Sequence, residues 1–153
     1  KIGNDANADF FISIHLNSSS SSSANGTEVF YFSKKDQGSY AAQVAKFENK
    51  VDGSYGDVPF SDFILNDIFY RKNQKTSQAI AESVLNNLIN TTGLRRRGVF
   101  GANFAVLRGS NSPSILVELG FMNNYSDLSQ YLTPDGQDRA ANAISSAIRS
   151  YFR

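Results

Sequence analysis

A chain of 153 residues, 41% hydrophobic and 19% charged, has the composition of one soluble globular domain, and its formal net charge of +1 excludes the basic surface that a nucleic-acid binder needs. Cys is absent, which excludes disulfides, thiolate metal sites and Cys nucleophiles, so any metal must be held by His, Asp or Glu; the sole histidine of the sequence is His15, so either it is structural or part of its site lies outside this chain. No apolar run approaches the roughly 18 to 20 residues of a membrane-spanning helix.

The opening KIGNDANADF has neither an initiator Met nor the apolar stretch of a signal peptide, and is expected to lie inside a domain. Residues 8–16, ADFFISIHL, alternate with Phe10, Ile12 and Ile14 on one side and Phe11, Ser13 and His15 on the other, the period of a strand. Asn17 and the serine run 18–23 then read as a mobile polar loop. TEVFYFS at 27–33 alternates again and reads as a second strand.

The spacing of Ala41, Val44, Ala45 and Phe47 predicts a helix over 39–51. Residues 53–59 are turn-rich, and a short apolar helix capped by Ser61 or Asp62 is expected to follow through Phe69. A separate amphipathic helix is predicted over 76–89, stopped by Gly93. After the basic patch 94–98, two short strands are predicted at 104–108 and 114–119. Thr133 with Pro134 opens a last helix through Ala140, Ile144, Ala147, Ile148 and Tyr151. Strands alternating with helices predict an α/β fold, a mixed β-sheet sandwiched by helices.

Two predicted strands end on an ionisable residue, His15 after FISI and Glu118 after SILV. Ligands collect at the carboxyl ends of strands in open α/β sheets, so these two can share a site although far apart in sequence. A His with a carboxylate suits metal-assisted hydrolysis with Glu as general base. On residue types alone, a structural or surface His15 and a solvated Glu118 are the commoner readings.

ADFFISIHLNSS, GTEVFYF, RRGVFGANFAVLR and PSILVELGFMNN, in that order, resemble the zinc-dependent N-acetylmuramoyl-L-alanine amidases of the Amidase_3 type. The resemblance implies hydrolysis of the amide bond between N-acetylmuramic acid and L-alanine in peptidoglycan, in the bacterial cell envelope (periplasmic or extracellular). It implies one Zn ion with His15 as a ligand and Glu118 as the catalytic carboxylate. The other two zinc ligands of the family, a His and a Glu, are expected upstream of this chain, which reads as an amidase-type domain over 1–153 lacking its first strands and helix and inactive alone.

Residues 40–70 resemble the regulatory insertion of relatives controlled by septal activator proteins, which implies such an activator as a partner and Glu48 as an inhibitory metal ligand, with Asp62 and Asp67 behind it. Asn17, Arg97 and Asn123 match family positions near the site and are expected to bind substrate or orient loops; residues 95–97 read otherwise as a solvated charge run. Two competing functions remain: a non-catalytic peptidoglycan- or activator-binding remnant, and a zinc peptidase cutting within the stem peptide.

Overall fold

The computed structural model describes the backbone of residues 2–51 and 60–153 and the side chains of 2–50 and 68–153. A short helix α1 (Ile2–Asp5) leads into β1 (Phe11–Asn17) and β2 (Thr27–Phe32). The helices α2 (Gly38–Val51) and α3 (Phe60–Thr92) precede β3 (Arg96–Ala102) and β4 (Ser114–Phe121). A helical turn α4 (Tyr125–Leu128), a 3-10 turn (Ser129–Tyr131) and α5 (Pro134–Tyr151) follow.

The four strands pair in the order β1-β4-β2-β3. Phe11 N–H donates to Pro113 O and Met122 N–H to Asn17 O, so β1 and β4 run parallel, with their carboxyl ends side by side. The Thr27 hydroxyl donates to Leu119 O, which sets the start of β2 against the end of β4 and makes that pair antiparallel. Thr27 N–H donates to Arg95 O and Ser33 N–H to Ala102 O, so β2 and β3 are parallel again. The sheet is therefore mixed, as the sequence predicts. One end of it gathers the carboxyl ends of β1 and β4 and the amino ends of β2 and β3.

By contacts the chain divides into two compact units. The first comprises Lys1–Ser13, Phe30–Ala79 and Phe100–Leu116. Its core is Phe30, Ala41, Val44, Ala45, Ala102, Phe104, Leu107 and Leu116, with Phe11, Phe32, Tyr40 and Phe100 packed against it. Phe30 and Phe104 meet at 4.9 Å between ring centroids, within the range of favourable tilted aromatic pairs. The second comprises Ile14–Val29, Ile80–Val99 and Val117–Arg153. Ile80, Val84, Leu85 and Leu88, spaced along one stripe of α3, are fully buried there, as are Ala140, Ala143, Ile144 and Ala147 of α5 to within a few per cent.

Two predicted elements are corrected. The expected pair of helices over 61–69 and 76–89 is one helix of 33 residues, because Phe60–Thr92 contains neither Pro nor Gly and the intervening YRKNQK includes the good helix formers Arg71, Lys72, Gln74 and Lys75. It stops where predicted: Gly93, at φ 70, donates to Ile89 O, the left-handed C-terminal cap that glycine makes cheaply.

The strand expected at 104–108 is a compact turn, with Arg108 N–H donating to Phe104 O. Phe104 and Leu107 are buried at the three-residue spacing of a helical turn, which supplies their burial without a strand. The third strand is instead Arg96–Ala102, hidden in the sequence by two glycines and a charge run that β propensity disfavours; pairing with β2 overrides that. The last helix is as read, Thr133 capping it by accepting from Gly136 N–H, with Pro134 in the first turn.

Candidate functional site

Strand alternation sets Phe11, Ser13, His15 and Asn17 on one face of β1, and Ser114, Leu116, Glu118 and Gly120 on one face of β4. Phe11 and Leu116 join the apolar core of the first unit. Further along the same faces the residues become polar: His15 is half-buried, Asn17 is 6% exposed and Glu118 is fully buried. On β2, Phe30 is a core residue and Glu28, two positions earlier on that face, is also fully buried. The alternation that makes a core at one end of these strands brings ionisable groups together at the other.

His15 and Glu118, both in the second unit, each offer one ligand atom, and these atoms lie within 4.8 Å of each other. An imidazole nitrogen and a carboxylate oxygen are donors that zinc accepts, so the residues present fit such an ion. Two sequence-predicted residues, 15 and 118, are thus brought together, and the third, Glu48, stands on α2 in the first unit. Asp62 and Asp67 lie outside the described side chains, as does the turn 52–59 of the expected insertion.

Asn17 and Arg97 meet on a residue that the sequence reading passed over. Asn17 Nδ2 donates to Glu28 Oε1 at 2.7 Å, and Arg97 Nε donates to Glu28 Oε2 at 2.7 Å. Arg97 also donates to Asn25 O at 3.3 Å, and its guanidinium carbon stands 5.0 Å from the Phe121 ring centroid, a cation–π contact. Arg97 and Phe100 are an odd number of residues apart yet serve Glu28 and the Phe30 core on one face of the sheet. The alternation breaks at Gly98, whose φ of 145° lies where a side chain is disfavoured. A signal for Glu28 was available: it shares the inward face of TEVFYF with Phe30 and Phe32, where a carboxylate is buried only if partnered.

Asn123 does not reach the metal-binding group among the contacts described; it ties down the serine run. Its Nδ2 donates to Ser19 O at 2.8 Å and Ser21 O at 3.1 Å, its Oδ1 accepts from Ser19 N–H, and Asn124 donates to Ser22 O. Asn17 Oδ1 accepts from Ser18 N–H at 2.7 Å. The segment expected to be a mobile loop is therefore held at both ends and along its length, because amide side chains satisfy backbone groups that serines alone leave open. Asp127, 1% exposed, closes the loop: its Oδ2 accepts from Gly26 N–H at 2.7 Å and Phe121 N–H at 3.0 Å. Gly26 has φ 105, and a Cβ there would stand 2.4 Å from Arg95 O, so only glycine fits this approach.

Tyr131 supports the end of β4 by donating to Leu119 O at 2.9 Å. Burial, opposed by a hydrogen bond with Thr27 and reinforced by the charge of Asp127, pushes its phenol up to about 12.

The Amidase_3 family model, described as N-acetylmuramoyl-L-alanine amidase, matches residues 1–150. This chain belongs to the Amidase_3 family. It is 33% identical over 151 residues to the N-acetylmuramoyl-L-alanine amidase AmiC of Neisseria meningitidis serogroup B, a match spanning 95% of this chain and 36% of AmiC. It is 32% identical over 148 residues to LytC of Bacillus subtilis, spanning 97% of this chain and 22% of LytC. The chain thus spans about a third or less of the length of these curated relatives.

Among solved structures, an N-acetylmuramoyl-L-alanine amidase from Clostridium difficile 630 superposes with a TM-score of 0.68 at 26% identity, covering 99% of this chain and 61% of that one. The mixed sheet with its helices is accordingly the fold of amidase catalytic domains. No helix among the described residues of this Amidase_3 chain is long and apolar enough to cross a membrane.

Proposed function

We propose that this Amidase_3 chain carries catalytic residues of a zinc-dependent hydrolase that cuts the amide bond between N-acetylmuramic acid and the L-alanine of the peptidoglycan stem. The protein acts in the cell envelope, in wall remodelling or daughter-cell separation. The observation that carries this reading is the convergence of His15 and the fully buried Glu118, from the carboxyl ends of adjacent parallel strands, within one potential metal-binding group in a chain of this family.

Zinc bound there supplies Lewis acidity for the scissile carbonyl. His15 contributes a nitrogen donor from a strand end whose position the sheet fixes. Glu118 takes a proton from the attacking water and returns it to the departing alanine amine, so no net proton is consumed at the carboxylate. Its burial keeps bulk water from competing for that proton. Asn17, Arg97 and Asn123 shape the surrounding walls through the bonds described above. Glu48 is the inhibitory ligand: while its carboxylate occupies the metal-binding group it competes with substrate, and a septal activator protein that withdraws it switches the enzyme on.

The test incubates purified peptidoglycan and zinc with the protein that carries this chain, and with its Glu118→Gln variant, following release of stem peptides with a free alanine amino terminus. Release by the parent alone is expected. Release by neither, with or without activator proteins, overturns the reading, and cleavage products that begin within the stem replace the amidase by a peptidase.

A further inference from the structure

Among the buried carboxylates that the mechanism above does not use is Glu28. Glu28 is fully buried, carries a carboxylate at the start of β2, and divides its two oxygens between an amide from β1 and a guanidinium from β3. Its partner Arg97 is only 20% exposed in its side chain. Removing a carboxylate from water is expensive unless charge and hydrogen bonds replace the hydration, and at Glu28 both are supplied from other strands. The ends of β1, β2 and β3 are thereby fixed by one side chain.

Asn17 is the connection to the site. It lies two residues beyond His15 on the same face of β1, and it is the last residue of that strand. Its Nδ2 is taken by Glu28, its Oδ1 by Ser18 N–H and its carbonyl by Met122 N–H, so its side chain and its carbonyl are all held. Past Asn17 the chain leaves the sheet for the serine loop. Without Glu28, the end of the strand that carries His15 loses one of the bonds that hold it.

We propose that Glu28 is the positioning residue of the site: it clamps Asn17, and through Asn17 the orientation of His15, while Arg97 anchors its second oxygen. Glu28 does not touch the reacting atoms. Glutamine at this position offers one acceptor oxygen for two donors, so it keeps either Asn17 or Arg97 but not both. Alanine keeps neither.

In the metal-free protein that carries this chain, the imidazole NMR signals that a His15→Gln variant lacks are those of His15. The parent is expected to show one set of these signals, Glu28→Gln a broadened set, and Glu28→Ala a second set from a displaced ring. Leu88→Ala, a cavity variant at a fully buried position of α3, provides a chain destabilised without touching the clamp and is expected to keep the parent ring signals. Titration with Co2+ alone gives the second readout: loss of an outer partner of a metal site weakens binding by 10 to 100-fold in general, and about tenfold is expected for Glu28→Ala, with altered d–d bands.

Ring signals of Glu28→Ala that superimpose on the parent's, or the same doubling in Leu88→Ala, overturn the proposal. So does a Co2+ affinity that is unchanged while the melting temperature falls. The Co2+ measurement rests on the metal reading above and the imidazole measurement does not. A parent that takes up no Co2+ therefore defeats the metal reading, and the clamp then stands or falls on the ring signals.

Discussion

The two units of this chain are stabilised in different ways. The first is filled by Phe30, Phe104, Leu107 and Leu116, which are 0–1% exposed and carry no side-chain polar atom. The second has a comparable apolar set on α3 and α5 but also buries Glu28, Glu118 and Asp127 at 0–1% exposure, with Asn17 at 6%. Apolar burial is non-directional and tolerates repacking, whereas a buried carboxylate requires particular donors at particular places. An interior that keeps three carboxylates dry is organised for chemistry or for holding chemistry in place, and among its described residues the first unit buries no carboxylate.

Breaking this contrast begins with Glu118→Gln, which should reduce amide hydrolysis by a factor on the order of 10² to 10⁴ while leaving the thermal melting curve nearly in place, since the amide is isosteric. Activity within tenfold of the parent would remove Glu118 from the role of proton carrier. In the first unit, Phe104→Ala should lower unfolding stability by about 3 to 5 kcal/mol with no change in the Co2+ affinity of the molecules that remain folded, as read by denaturant titration and by calorimetry.

Arg97→Met should be as damaging as a core deletion, by about 3 to 5 kcal/mol, because it takes the guanidinium from a buried Glu28 carboxylate; adding Glu28→Gln to it should recover part of that loss. Additive losses in the double variant would show that the two residues do not work as a pair. Glu48→Ala should raise the basal rate of peptidoglycan cleavage several-fold in the protein that carries this chain, and a rate equal to or below the parent's would dismiss Glu48 as an inhibitory ligand.

The smallest effect is expected at Tyr131. Replacing it by Phe removes one hydrogen bond to Leu119 O, worth about 1 kcal/mol near neutral pH. The phenol is raised to about 12 in the folded protein, against the ordinary value of 10.0 that the unfolded chain has. The contribution of Tyr131 is therefore fully present below pH 10 and is lost as the pH rises from about 10 toward 12, where unfolding releases a proton. Melting curves of parent and Tyr131→Phe across pH 8 to 12 should converge over that window; curves that stay parallel would place the phenol in ordinary surroundings.

Much of the site was legible in residues. Alternation predicts β1 and β2, helical spacing predicts α2, and the Thr133–Pro134 start of α5 is written in cap chemistry that needs no tertiary help. His15 and Glu118 were visible because each ends an apolar run. Arg97 and Asn17 were visible only as family matches, and what they bond to was not, since both meet at Glu28, and nothing local to 17, 28 or 97 says that three strands pair in an order that puts them together. The third strand was misplaced for the same reason: RRGVFGA has weak local preference, and hydrogen bonds to β2 decide it. The serine run looked featureless because its restraints come from Asn123, Asn124 and Asp127, about a hundred residues away.

The sequence by itself determined the class of fold, the residue types available to the chemistry and the faces on which they stand, because periodicity and capping act over a few residues. The tertiary structure alone decided which faces meet. Sheet order places the carboxyl ends of β1 and β4 together, Gly98 turns Arg97 onto the face of Glu28, and ligand atoms of His15 and Glu118 come within 4.8 Å of each other. Each of these depends on contacts between segments far apart in the chain, and their formation is governed by packing and pairing over the whole sheet, which no local window of sequence records.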